Sequence, residues 1–229
     1  MLSTLIPILV LLLPSRIKVG AFRALLGWDI APTARIGFSL VAASHLAMAE
    51  RARIGHLSVI RDVRVRMEAF STIGNWNWIS AAPALRASDK LSDVPLVSLG
   101  AHSAITSRHY IDGSGDVMIG SFTTMAGVRS TILTHQIDLD LSLQSVRSVT
   151  IGDYCFISSN VSIVPGARIG DKSVVAMGAV VVGLLEGGML YAGVPATAIP
   201  TKPSDGAYFR RHRGEVGTIS EQKIWDRRP

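Results

Sequence analysis

A hydroxyl is a poor nucleophile at neutral pH. It needs a base that takes its proton as it attacks, and histidine is the side chain that ordinarily titrates in the useful range. The chain has six histidines, and one of them, His135, stands in the stretch ILTHQID (132–138) close to two carboxylates, Asp138 and Asp140. A histidine acting as base needs an acceptor on its second ring nitrogen, and Asp138 is the preferred partner. His109, in SRHYIDG (107–113), is a second candidate, to orient or to contact an acceptor molecule. Trp76 and Trp78 alternate with Asn75 and Asn77 in NWNWIS, a pattern that suits either a sugar-lined site or a strand corner or subunit contact. The single cysteine, Cys155, excludes an intrachain disulfide and reads as a small buried hydrophobe.

The elements that must position these groups repeat every six residues. From Ile151 the sixth positions are Ile157, Ile163, Ile169, Val175 and Val181, and a second track of small residues runs Cys155, Val161, Ala167, Ser173 and Ala179. Neither a helix nor an ordinary strand has that period, whereas a hexapeptide solenoid does. Three repeats make one triangular coil. Earlier coils follow Ile36-Gly37, Ile54-Gly55, Ile73-Gly74, Leu99-Gly100 and Ile119-Gly120, with six-step positions at Ala42, Met48, Ile60, Met67, Met125 and Thr131. Two intervals are too long for a coil. The first leaves a polar loop at 81–92, and the second leaves 134–148, the stretch that holds His135. Loops on a rigid scaffold are where chemistry is usually placed.

The repeat, closing on YAGVPATAIP (191–200), resembles the hexapeptide-repeat acyltransferases, in particular the colanic-acid or capsule type and the maltose and galactoside O-acetyltransferases. The resemblance implies an all-β left-handed parallel β-helix of about seven coils, assembled as a homotrimer. It implies O-acetyl transfer from acetyl-CoA to a hydroxyl of a sugar or polysaccharide precursor, with His135 as general base. By position, Ser159 in FISSN and Met177, Gly178 and Ala179 in AMGAV would flank the pantetheine arm of coenzyme A. This chain departs from the family pattern at Ala179, Thr197, Phe156 and 181–188. Lys202, Arg210 or Arg211 could then meet the nucleotide phosphates. A non-catalytic β-helix scaffold is the alternative. The same fold hosts zinc-dependent gamma-type carbonic anhydrases, but His102, His109 and His135 lack that family's close histidine pair, and no metal is expected.

The ends differ in kind from the repeat. Residues 1–30 hold an apolar run and then an amphipathic stretch in which Arg16, Lys18 and Arg23 alternate with apolar residues. This segment would either cap the solenoid or lie on a membrane face, and it is too short in apolar residues for a span. Residues 31–200 form the β-helix and 201–229 a basic tail with a short helix near 219–226, which could fold back on a neighbouring subunit or stay partly disordered. The net charge of +6 fits an anionic partner such as coenzyme A, a lipid-linked glycan precursor or a membrane surface. No motif supports nucleic-acid binding. The expected location is cytoplasmic, peripheral at the inner face of the membrane.

Overall fold

The computed structural model describes residues 2–86, 90–200, 206–214 and 216. The chain is a left-handed parallel β-helix with three flat faces, each a parallel sheet built by taking one short strand from every coil. Face A runs from Asp29–Ile30 to Leu184–Leu185, face B from Arg35–Ile36 to Leu190–Ala192, and face C from Leu40–Ala42 to Val180–Val181. Seven coils contribute to all three faces, and an eighth to A and B. Strand pairing begins at Asp29, two residues before the boundary expected at 31.

Strict register makes the core. On face B, Ile36, Ile54, Ile73, Ile105, Met125, Ile157 and Val175 are partners in succession, and all are buried. Tyr191 ends the column, its hydroxyl donating to the Glu186 carbonyl (2.8 Å). The last strand, Thr197–Ile199, pairs antiparallel with Leu190–Ala192. On face C the inward residues are Val41 and Ile132, not Ala42 and Thr131 as the six-step predicts. Face A strands of three or four residues bury two side chains each, such as Val65 with Met67, and these longer strands slip the count. Coils approach so closely that a Cβ on Gly152 would collide with Asp171 Oδ1 of the next coil.

Polar side chains complete the corner between faces B and C. There the backbone N–H groups of Ser58, Asn77, His109, Ser130 and Val161 donate to Ser39 Oγ, Ser58 Oγ, Asn77 Oδ1, His109 Nδ1 and Ser130 Oγ, at 2.9–3.2 Å. From Ser39 to Ser130 each coil thus supplies an acceptor for a buried N–H of the next. His109 is a rung of this ladder. It is 1% exposed, and its Nε2 lies 3.0 Å from Thr106 Oγ1. It is therefore closed off from any acceptor molecule, contrary to the sequence expectation. Imidazole fits the small-residue track because its two ring nitrogens replace the bonds a serine would make. Cys155 is buried as expected, and its burial pushes the thiol up to about 11.

The N-terminal helices α1 (Leu2–Leu9) and α2 (Ser15–Leu26) cover the first coil. Ile6, Val10, Val19 and Phe22 face inward, and Phe22 packs on Trp28 with ring centroids 4.7 Å apart. Lys18 is fully buried, and its ammonium donates to the carbonyls of Leu11 (2.8 Å) and Gly37. Ser15 Oγ accepts the Ile36 N–H (2.9 Å), stitching α2 to the first coil. The cap alternative is therefore realised. No helix among the described residues is long and apolar enough to cross a membrane.

The C-terminal segment docks on its own chain, at the corner between faces A and B. Phe70, His102, Phe122 and Tyr154 stack there at 4.8–4.9 Å in left-handed backbone conformations. Residues 206–214 lie along this column: Arg211 stacks on Tyr208 (3.9 Å), and the Gly214 N–H donates to His102 Nδ1 (3.2 Å). Lys202 and the stretch 219–226 lie outside the described residues.

Burial holds the His109 pKa down from 6.5 to about 4, so the folded protein keeps this ring neutral where the unfolded chain protonates it. Its contribution is complete above pH 6.5 and is lost as pH falls toward about 4. Urea unfolding across that window should show a loss of about 3 kcal/mol from this group. His109→Asn, which places on this track the residue already found at Asn77, should flatten that part of the pH profile. An unchanged slope would remove His109 from the account.

Candidate active site

The corner between faces C and A carries both insertions. The first leaves after Trp78–Ser80 and rejoins at Leu96–Leu99, with short 3-10 turns at Pro83–Leu85 and Leu91–Asp93. The second is a two-stranded antiparallel hairpin, His135–Asp138 with Leu143–Val146, leaving after Thr131–Ile132. Between them lies the coil whose corner is the DGSGD turn, 112–116. The hairpin contacts the Pro83–Leu85 turn, so three successive coils build one edge.

His135 opens the hairpin, and its orienting carboxylate is Asp112, with Nδ1 2.7 Å from Oδ2. Asp112 is buried and closes its coil's face C strand, Tyr110–Asp112. Five further donors converge on it. Oδ1 accepts the Ser114 hydroxyl (2.6 Å) and N–H (3.1 Å). Oδ2 accepts the Thr134 N–H (2.8 Å) and hydroxyl (2.9 Å) and the His135 N–H (3.1 Å). Burial alone would raise the carboxyl pKa, but the donors from Ser114, Thr134 and His135 outweigh it and hold the group at about 2. Asp112 is thus a carboxylate that can only accept. The proton between the two groups belongs to His135 Nδ1, so in the neutral imidazole the lone pair is on Nε2. The His135 side chain is 38% exposed, and among the described residues nothing bonds Nε2.

The rest of the corner secures this pair. The Ala82 N–H donates to Ser114 Oγ (3.0 Å), tying the first insertion to the carboxylate. Thr134 Oγ1 also accepts the Gly115 N–H (2.8 Å). At position 115 a Cβ would lie 2.7 Å from Val146 Cγ1, so a side chain there would push on the hairpin.

Asp138 does not orient the histidine. Its Oδ1 accepts the N–H groups of Asp140 (3.1 Å) and Leu141 (3.0 Å) and so closes the hairpin turn. Asp112 is 23 residues from His135 in sequence but adjacent across the coil step, because Ile111 pairs with Ile132. That register was the only sequence signal that could have found it.

The expected coenzyme A residues occupy a different corner, between faces B and C. Met177 is 73% exposed, and Gly178 has a left-handed backbone with open space beside its Cα. Ser159 Oγ accepts the Val128 N–H (3.2 Å), and its carbonyl accepts from Gly178. Ala179 is a correction: its methyl is in the core, and its N–H and carbonyl are bonded to Ala176 and Ser162. It offers a ligand nothing. Within one chain face C separates this corner from His135. The histidines 102, 109 and 135 lie on three different corners, and among the described residues no cluster could hold a metal ion.

Residues 148–183 match the family described as bacterial transferase hexapeptide (six repeats). That stretch carries the hexapeptide repeat which the family model describes. A Saccharomyces cerevisiae relative named "Putative acetyltransferase YJL218W" is 41% identical over 92 residues, 39% of this chain and 47% of the relative. The chain spans about half the length of that curated relative. Among solved structures, the polysialic acid O-acetyltransferase OatWY superposes with a TM-score of 0.55 at 15% identity, covering 87% of this chain and 91% of that one. The N-acyltransferase AntD of Bacillus cereus, solved as a point mutant in complex with dTDP-4-amino-4,6-dideoxyglucose and coenzyme A, superposes at 0.50 with 13% identity, covering 76% and 82%. These two likenesses show the fold.

Asp112→Asn removes the charge that these donors converge on. The variant should lose about 3 kcal/mol in urea unfolding, and amide exchange at Ser114, Thr134 and His135 should quicken. Because the folded pKa lies below the ordinary 3.8, the native protein's advantage should hold above pH 3.8 and vanish as pH falls through about 2. Unchanged exchange at all three amides would show that Asp112 does not organise the corner.

Proposed function

We propose that the protein transfers an acetyl group from acetyl-CoA to a hydroxyl of a sugar or polysaccharide precursor, with His135 as general base. The observation that carries this reading is the Asp112–His135 pair, with Nδ1 committed and Nε2 open to solvent. The names of the yeast relative and of OatWY, and the coenzyme A in AntD, support it.

In the proposed reaction the acceptor hydroxyl gives its proton to Nε2 as its oxygen attacks the thioester carbonyl. The new C–O bond forms and the C–S bond breaks. The departing sulfur takes the proton back from the imidazolium, so no covalent enzyme intermediate arises. Asp112 stabilises the imidazolium while it exists, its charge already secured by Ser114 and Thr134. Met177 and Gly178, with Ser159, form the exposed corner that would flank the pantetheine arm. Face C separates this corner from His135 in one chain, so the reading requires a homotrimer in which neighbouring subunits pair the two corners.

The N-terminal cap adds a location. The inner stripe of α1 is buried, yet Leu5, Ile8, Leu9 and Leu12 are exposed, Leu9 and Leu12 at 78% and 77%. Residues 1–28 hold no acidic side chain, and Arg16 and Arg23 are exposed while Lys18 is buried. An apolar stripe flanked by cations suits the anionic inner face of a membrane and an acceptor carried on a lipid.

Coenzyme A release from acetyl-CoA, measured over a panel of sugar acceptors, should be acceptor-dependent and should fall by about 10²-fold or more in His135→Ala. Release unaffected by the substitution would sink the role of His135. In flotation with liposomes, the native protein should rise with anionic vesicles, and Leu9→Ser/Leu12→Ser should stay below. Equal flotation of both would reject the membrane contact.

A further inference from the structure

The outer surface of face C carries a feature that the acetyl-transfer chemistry itself does not use. Ile79 and Ile111 point into the core with no exposed surface. Alternation along a strand therefore turns Trp78 and Ser80, and Tyr110 and Asp112, to the outside. Trp78 and Tyr110 are direct register partners on adjacent strands, and so are Ser80 and Asp112. Both rings stay in solvent, Trp78 at 43% and Tyr110 at 44% exposure. Trp78 is also held: its indole N–H donates to Ser80 Oγ at 2.9 Å, which fixes the ring against the strand. The ring pair thus sits one side-chain step, about 7 Å along the strands, from the carboxylate that orients His135.

We infer that Trp78 and Tyr110 form a stacking platform for a sugar ring of a glycan acceptor, next to the Asp112–His135 pair. The inference rests on the acetyl-transfer reading and names a subsite for it. The apolar C–H face of a pyranose carries partial positive charge and meets the negative face of an aromatic ring. Two adjacent rings, one pre-oriented, suit an extended saccharide better than a single small alcohol. A ring held there leaves its neighbouring unit over the exposed Nε2 of His135. In the coil of His135 the row of the two rings continues to Thr131, and the exposed Leu133 lies level with Asp112.

The test is calorimetric titration, without acetyl-CoA, with cellotetraose, chitotetraose, maltotetraose and a sialic acid tetramer. At least one should bind. Trp78→Ala and Tyr110→Ala should each weaken it by about tenfold, and Trp78→Phe should recover most of the affinity. Trp76→Ala, which removes an exposed ring from the adjoining corner, should change nothing. Binding by none of the four, or equal binding by Trp78→Ala, overturns the platform. A changed oligomeric mass in Trp78→Ala with unchanged saccharide affinity assigns the face to a subunit contact and also overturns it. Saccharide binding without any coenzyme A release would sink the acetyl-transfer reading and leave the platform standing. Coenzyme A release to a small alcohol with no saccharide binding would do the reverse.

Discussion

The in-register parallel ladder between coils is the constraint on which everything else depends. Each inward residue pairs with its equivalent in the next coil, so Ile36 stands under Ile54 and Ile54 under Ile73. A slip of one residue would turn this column outward and bring polar side chains into the core. The backbone hydrogen bonds that hold the register also bring successive corners close together, which is why glycine follows so many of the inward aliphatics. Side chains take over where the ladder bends. The serine, asparagine and histidine rungs between faces B and C are the same solution repeated with different residues.

The functional corner follows from that rigidity. A buried carboxylate with six donors around it is costly to assemble in a flexible loop, since every donor must be ordered. Here the donors come from two successive coils whose spacing is already set, and a third braces them through Ala82. Thr134 and Ser114 hold the charge, Ala82 reaches Ser114 from the first insertion, and Gly115 lets the hairpin approach. Only His135 needs to face solvent, and the hairpin strand that it opens fixes its backbone.

Much of this was legible in the residue pattern because a solenoid is nearly one-dimensional. The six-residue period located the core column, and the two oversized intervals located both insertions, including the one with His135. What the pattern missed was lateral. Asp138 is near His135 in sequence, yet it closes a turn, while Asp112 is its neighbour only across the coil step. His109 was misplaced for a related reason: a rung of the polar ladder looks like a functional histidine until its two ring partners, one on the next coil, are known. Ala179 shows the opposite error, since position in a motif says nothing of whether a backbone group is already bonded. The tail was unreadable because its anchor, the ring column at the A–B corner, is assembled from residues of four separate coils.

Both insertions leave by a single corner, and this has a consequence for how such a protein can diverge. Lengthening a corner loop costs only its own closure entropy, which grows slowly with length, and no residue of the inner column has to change. The coil stack and the walls above His135 are therefore separable units of variation. Exchange of the 83–93 or 136–145 stretch can reshape the walls around His135, while the Ile and Val column that keeps the chain folded is inherited intact. Loop shape and folding stability are largely uncoupled in this architecture, and a lineage can explore the first without drawing down the second.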